Sequence, residues 1–204
     1  MNAAATAHAT PFSLHDFLNW EADQPLRHEF IEGEAFARTG GTDVHNLITG
    51  NAYLALREYA KGKPCRVFMA DMKLAVEAAD ACFYPDIFLT CTPGDAASAL
   101  VKHDAQLIIE VLSPSTEAYD RGKKFGHYRL IDTLAAYVLI AQDEYRIEAF
   151  VRTQDNHWTL YEASGLESVL ALPLPDDHLD LALAQIYQDI PLPPIAAIPT
   201  GAPA

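Results

Sequence analysis

Residues 107–116 read LIIEVLSPST. Leu107, Ile108, Ile109, Val111 and Leu112 form an aliphatic run of the kind found in strands buried on both faces. One carboxylate, Glu110, stands in its middle. Burying an ionised carboxylate with no partner is expensive, so Glu110 is either exposed at one point or met by something cationic.

A second apolar segment, CFYPDIFLT at 82–90, repeats the oddity with Asp86 directly after Pro85. Read as a neighbouring strand, it brings both carboxylates into one cleft. Two anions about 4 Å apart repel by roughly 4 kcal/mol at an effective dielectric near 20, so one takes a proton or a divalent cation neutralises both. Hard oxygen donors with no Cys or His nearby in sequence suit Mg²⁺ or Mn²⁺ better than zinc. The pattern leaves a plainer alternative open, in which each acid marks the exposed position of an edge strand.

The basic cluster of the chain follows directly. Residues 120–129, DRGKKFGHYR, place Arg121, Lys123, Lys124 and Arg129 against the single acid Asp120. The spacing predicts a helix from Asp120, as cap, to Ile131. Lys124, Tyr128 and Ile131 share one face of it, with Phe125 at the margin and Lys123 about a quarter-turn away. An inward Lys124 either meets Glu110 or snorkels over the helix edge, and pattern alone leaves both open.

The remaining elements predict a mixed α+β fold. A short helix begins after Ser13 as N-cap, RHEFIEGEAFART reads as a hairpin about Glu32-Gly33, and a long helix runs from Asp43 to about Lys61. CRVFMA, KLAVEA, AAYVLIA, RIEAFVR, HWTLYEA and SVLAL read as strands, CTPGDAASALVKHDA as a loop, and LDLALAQIY as a final helix. With 204 residues, one domain is expected over 13–190, with a flexible N-terminus at 1–12 and an extended proline-rich arm at 191–204. Cys65, Cys82 and Cys91 lack Cys-x-x-Cys spacing and are expected as buried free thiols. HEFIE at 28–32 begins like a zinc-protease motif but has no second histidine. No apolar run is long enough to span a bilayer and no signal peptide is visible, so a cytoplasmic location is expected. The net charge of −14 excludes a broad basic surface but not a small basic cleft, because salt screens charges beyond about 10 Å.

YPDIFLTC, LIIEVLSPSTEAYDRGKKFGHYR and YVLI, together with HEFIEGE and the His45-Asn46 pair, resemble a large bacterial restriction-endonuclease-like family of small proteins with the PD-(D/E)XK nuclease fold. The resemblance runs from about His28 to Tyr187. It implies a central mixed sheet flanked by helices, with additional antiparallel strands. It implies that Asp86 and Glu110 are the catalytic acids and that Lys124 is the catalytic lysine. The usual lysine position, two residues after the second acid, is occupied by Leu112, and the lysine has moved to the following helix. Glu29, Asp120 and Tyr128 match supporting positions, whereas Ala136 stands where the family often has Glu. On this reading Asp86, Glu110 and the Val111 carbonyl hold Mg²⁺ or Mn²⁺, while Arg121, Lys123 and Arg129 hold flanking phosphates. The expected activity is endonucleolytic hydrolysis of nucleic acid, DNA foremost, by a homodimer. The rivals are a catalytically silent binding or structural member of the fold, a metal-independent hydrolase with paired carboxylates, and a protein-interaction module.

Overall fold

Strict alternation in the aliphatic strands gives one mixed sheet two cores. The computed structural model describes residues 12–38, 40–175 and 177–192. Its elements are α1 (Leu14–Glu21), β1 (His28–Ile31), β2 (Glu34–Ala37), α2 (Asp43–Ala60), β3 (Arg66–Met69), β4 (Lys73–Val76), β5 (Ala81–Phe83), β6 (Ile87–Thr90), α3 (Pro93–Ala97), β7 (Val101–Lys102) and β8 (Leu107–Val111). A helical segment at 117–128 follows, here α4. Then come β9 (Ala136–Ile140), β10 (Arg146–Arg152), β11 (Trp158–Ser164), β12 (Val169–Leu174), β13 (Asp177–Ala182) and α5 (Leu183–Ile186). Six strands form the central sheet in the order β11-β10-β9-β8-β6-β3, five form a second sheet, β2-β1-β5-β4-β7, and β12 pairs with β13. In the central sheet β8 and β9 are parallel and the other pairs antiparallel, so the fold is mixed α+β.

Along β8, Leu107, Ile109 and Val111 pack with Ile48, Ala52 and Leu56 of α2. Ile108 and Leu112 pack on the other side with Phe83, Tyr128 and Tyr137. Burial on both faces explains why the strand reads as a continuous apolar run. Glu110 belongs to the second face, which is the one α4 covers.

The N-terminal half follows its sequence signals closely. Ser13 caps α1 reciprocally with Asp16, and the β1–β2 hairpin turns through Glu32 and Gly33, both at positive φ. Phe12, expected in the flexible N-terminus, instead packs edge-on against Phe17, Trp20 and Phe30. Residues 1–11 and 193–204, which hold the rest of both expected arms, lie outside the described residues.

Five expectations are corrected. CFYPDIFLT is two strands in different sheets, because Pro85 has no N–H to give a ladder and the chain crosses from β5 to β6 at Tyr84-Pro85-Asp86. The expected loop after β6 contains α3 and β7. The helix begins at Glu117 rather than at Asp120, passes through a π turn at Asp120–Lys124 and ends at Tyr128, so Asp120 is not its cap. The expected final helix is mostly strand: Leu179 and Leu181 alternate with exposed Asp180 in register with β12, and only Leu183–Ile186 is helical. Cys65 and Cys91 form a disulfide, leaving Cys82 as the free, buried thiol. They flank the Arg66↔Thr90 register of β3 and β6, so strand pairing sets them opposite one another, a proximity that spacing along the chain does not reveal.

Candidate functional site

The register of β6 against β8 pairs Ile87 with Ile109, and one step further sets Asp86 opposite Glu110. The two carboxylates therefore project from the same face at the point where the chain enters β6. The Val111 backbone N–H donates to Asp86 Oδ2 at 2.9 Å and fixes that carboxylate across the strand gap. Both acids are buried and both line a cavity of about 330 Å³, which also receives Glu29, Val111, Asp120 and Lys124.

α4 supplies the cation. Its π turn carries Lys124, whose ammonium lies 2.8 Å from Glu110 Oε1, 3.5 Å from Asp120 Oδ1 and 3.7 Å from Glu29 Oε1. One turn later the Tyr128 hydroxyl donates to the same Glu110 oxygen at 2.9 Å. The Tyr137 hydroxyl, from β9, donates to the Asp120 carbonyl at 3.0 Å. π turns inside helices recur at functional sites, and here the wider turn sits where both Asp120 and Lys124 face the cavity.

The charges settle unequally. Complete burial pushes the Glu110 carboxyl up to about 8, ahead of the lowering by the Lys124 ammonium, with Asp86 and Asp120 adding to the rise. Burial likewise raises Asp120. Asp86 is also penalised by burial, yet the His45 hydrogen bond and charge, Lys124 and the Val111 N–H together hold it below the ordinary carboxylate range. Burial opposes the Lys124 charge, but Glu110, Glu29, Asp120 and Asp86 raise its pKa, so it stays an ammonium.

The sequence reading did not single out two groups of the cavity for any role. His45, in the first turn of α2, places Nε2 3.2 Å from Asp86 Oδ2. Arg38, just past β2, approaches Asp86 at 3.6 Å and Glu29 at 3.8 Å. The only local signal for His45 is the His45-Asn46 pair, and nothing local marks Arg38. The three expected phosphate ligands do not line this cavity. Arg121 turns away to Glu117 at 2.8 Å and Glu148 at 2.5 Å, and Lys123 and Arg129 are exposed.

Among the described residues, no cluster of three or more His, Cys, Asp or Glu side chains is arranged to hold a metal ion. The donors that are present still suit a hard cation. Glu110 commits Oε1 to Lys124 and Tyr128, and Asp86 commits Oδ2 to Val111 and His45; no hydrogen bond among the described residues reaches Glu110 Oε2 or Asp86 Oδ1, although the Arg38 guanidinium stands 3.6 Å from the latter. Mg²⁺ ordinarily takes one or two carboxylates and keeps several waters, so two such oxygens fit it.

The family model for Uma2, described as "Putative restriction endonuclease", matches residues 14–184. Two proteins of Synechocystis sp. (strain ATCC 27184 / PCC 6803 / Kazusa) are similar along most of their length. Uncharacterized protein slr1290 is 31% identical over 180 residues, 87% of this chain and 92% of its own. Uncharacterized protein sll1609 is 32% identical over 152 residues, 74% of this chain and 86% of its own. The crystal structure of a "putative nuclease belonging to DUF820" from Anabaena variabilis ATCC 29413 superposes with a TM-score of 0.67 over 87% of this chain and 98% of that one. At 17% identity that likeness is one of fold.

Proposed function

The chain belongs to the Uma2 family, and we propose that it is a divalent-cation-dependent endonuclease hydrolysing phosphodiester bonds in DNA. The observation that carries this reading is the convergence of Asp86, Glu110 and Lys124 on one cavity, from a strand entry, a strand interior and a π turn. A structural ion pair needs only one carboxylate for one ammonium. Here four buried carboxylates, Glu29, Asp86, Glu110 and Asp120, share one cavity with Lys124, Arg38 and His45, and burial keeps on Glu110 a proton that a bound cation would replace.

Asp86 and Glu110, with the Val111 carbonyl, are the residues that would hold Mg²⁺ or Mn²⁺. Bound there, the ion supplies Lewis-acid polarisation of the phosphodiester and a more acidic water. Lys124 is already protonated, so it serves by orienting that water and stabilising charge that builds on the phosphoryl oxygens, not by accepting a proton. Glu29 and Asp120 hold the ammonium in place, and Tyr128 holds Glu110. Among the described residues no helix is long and apolar enough to cross a membrane. Cutting both strands of a duplex from one such site per chain calls for a homodimer.

Nicking of supercoiled plasmid by purified protein with Mg²⁺ or Mn²⁺, beside Glu110→Ala and Lys124→Ala purified identically, tests the reading. Metal-dependent nicking lost in both variants is the expected result. Nicking that survives both variants comes from a contaminant. Metal binding without any turnover would favour the silent member of the fold.

A further inference from the structure

Backbone phosphates need cations, and the groups first expected to supply them lie away from the cavity. The cavity does not end at Asp86. A second hollow of about 300 Å³ lies beyond it and shares Arg38, Gly40, His45 and Asp86 with the first. Its far wall is formed by Arg27, Asn46 and the Met69-Ala70 turn.

Arg27 and Arg38 meet there because of the hairpin. The β1–β2 register pairs His28 with Ala37, and the next pair outward is Arg27 with Arg38, whose backbone N–H donates to the Arg27 carbonyl at 2.9 Å. Directly opposed residues of an antiparallel pair project from one face, and like charges so placed are destabilising. The fold does little to compensate Arg27. The buried Glu21 has closer partners in Lys73 at 2.7 Å and the Tyr84 hydroxyl at 2.6 Å, while Arg27 stands 4.0 Å away. The nearest carboxylate to Arg27 is Asp71, at 3.6 Å and with a side chain 79% exposed, a pair that contributes little. Among the described residues neither Arg27 nor Arg38 donates a side-chain hydrogen bond: their ion pairs stand at 3.6 to 4.0 Å, which leaves the N–H donors of both forks able to turn to an anion.

We infer that the Arg27–Arg38 hollow binds a backbone phosphate of the nucleic acid neighbouring the one at Asp86 and Glu110, so that the strand leaves the site past His45 toward Arg27. This rests on the nuclease reading and adds the path of the substrate to it. Arg38, shared by both hollows, spans the two phosphates, and Arg27 touches only the outer one.

The test is binding of a fluorescein-labelled DNA duplex to the full chain at constant Ca²⁺, followed by anisotropy over a salt series. The logarithm of the association constant falls with that of salt by about 0.9 per neutralised phosphate. Arg27→Gln is expected to make that slope shallower by about one and to weaken binding about tenfold. Arg27→Lys keeps the slope, and Asp71→Asn, which removes the competing carboxylate, tightens binding. Wild-type slope and affinity in Arg27→Gln overturn the inference while plasmid nicking by the wild type keeps the nuclease reading. A wild type that neither binds nor nicks DNA overturns both. If circular dichroism shows Arg27→Gln unfolded, Asp71→Asn decides: unchanged or weaker binding overturns the inference.

Discussion

Lys124 Nζ lies 2.8 Å from Glu110 Oε1, and the two residues are carried by a helix and by the strand that leads into it. Both are buried, so the pair is worth far more to break than to have formed. Lys124→Ala leaves Glu29, Glu110 and Asp120 facing one another without their shared cation. We expect a loss of about 3 kcal/mol or more in stability, read by urea unfolding, and a fall in nicking of about 100-fold or more at a temperature where the variant is folded. Lost stability with unchanged nicking would leave Lys124 a structural role alone.

The Tyr128 hydroxyl fixes the same Glu110 oxygen, while its ring packs edge-on against Phe83 with centroids 5.1 Å apart. Tyr128→Phe keeps the ring contact and deletes the donor. A buried acceptor that loses one of two donors costs about 1–3 kcal/mol, so the variant folds with a lower Tm. With Glu110 less constrained, Mg²⁺ binding measured by calorimetry is expected to weaken. An unchanged affinity would show that Lys124 alone positions the carboxylate.

Legibility in the sequence followed the range of the interactions. Helix caps, the hairpin turn and the aliphatic strands are local, and Ser13, Glu32-Gly33 and residues 107–112 marked them correctly. The proximity of the candidate residues was legible in part: acids in the apolar segments holding Glu110 and Asp86 raise the question, and the helical spacing of Lys124 and Tyr128 allows the contacts with Glu110 that the fold makes. What was missed depends on distant pairing. The Cys65–Cys91 link needs the β3–β6 register, β13 needs β12 beside it, and the Arg27–Arg38 pair needs the hairpin closed beyond its last ladder pair. The π turn has no local signature, so the spacing points to a helix start at Asp120 whereas the helix begins at Glu117.

The disulfide predicts a thiol count. Alkylation of the unreduced, denatured protein should modify Cys82 alone, and the native protein should resist even that, because burial holds the Cys82 thiol well above its ordinary pKa. Cys65 and Cys91 are 26 positions apart, so closing that loop is worth about 3.5 kcal/mol by chain entropy. Reduction, or Cys65→Ser, is therefore expected to lower Tm without abolishing folding, since both cysteines pack at the edge of a core anchored by α2. Three reactive thiols in the denatured, unreduced protein would exclude the link.

Glu110 gives the metal-free protein a particular pH dependence. Its carboxyl is held at about 8 in the native state against 4.5 for an unperturbed Glu, so between those values the native chain keeps a proton that the unfolded chain has released. Rising pH through that window favours unfolding. The contribution is complete below pH 4.5 and is gone once pH has passed about 8. In EDTA the wild-type Tm should thus fall across the window, and Glu110→Gln, which carries no titrating proton, should remove that part of the slope. Mg²⁺ held as proposed would engage the ionised carboxylates of the native state only, so its addition should raise Tm more near pH 8 than near pH 5. A Glu110→Gln slope equal to that of the wild type, or a Mg²⁺ effect independent of pH, would place the titrating group elsewhere.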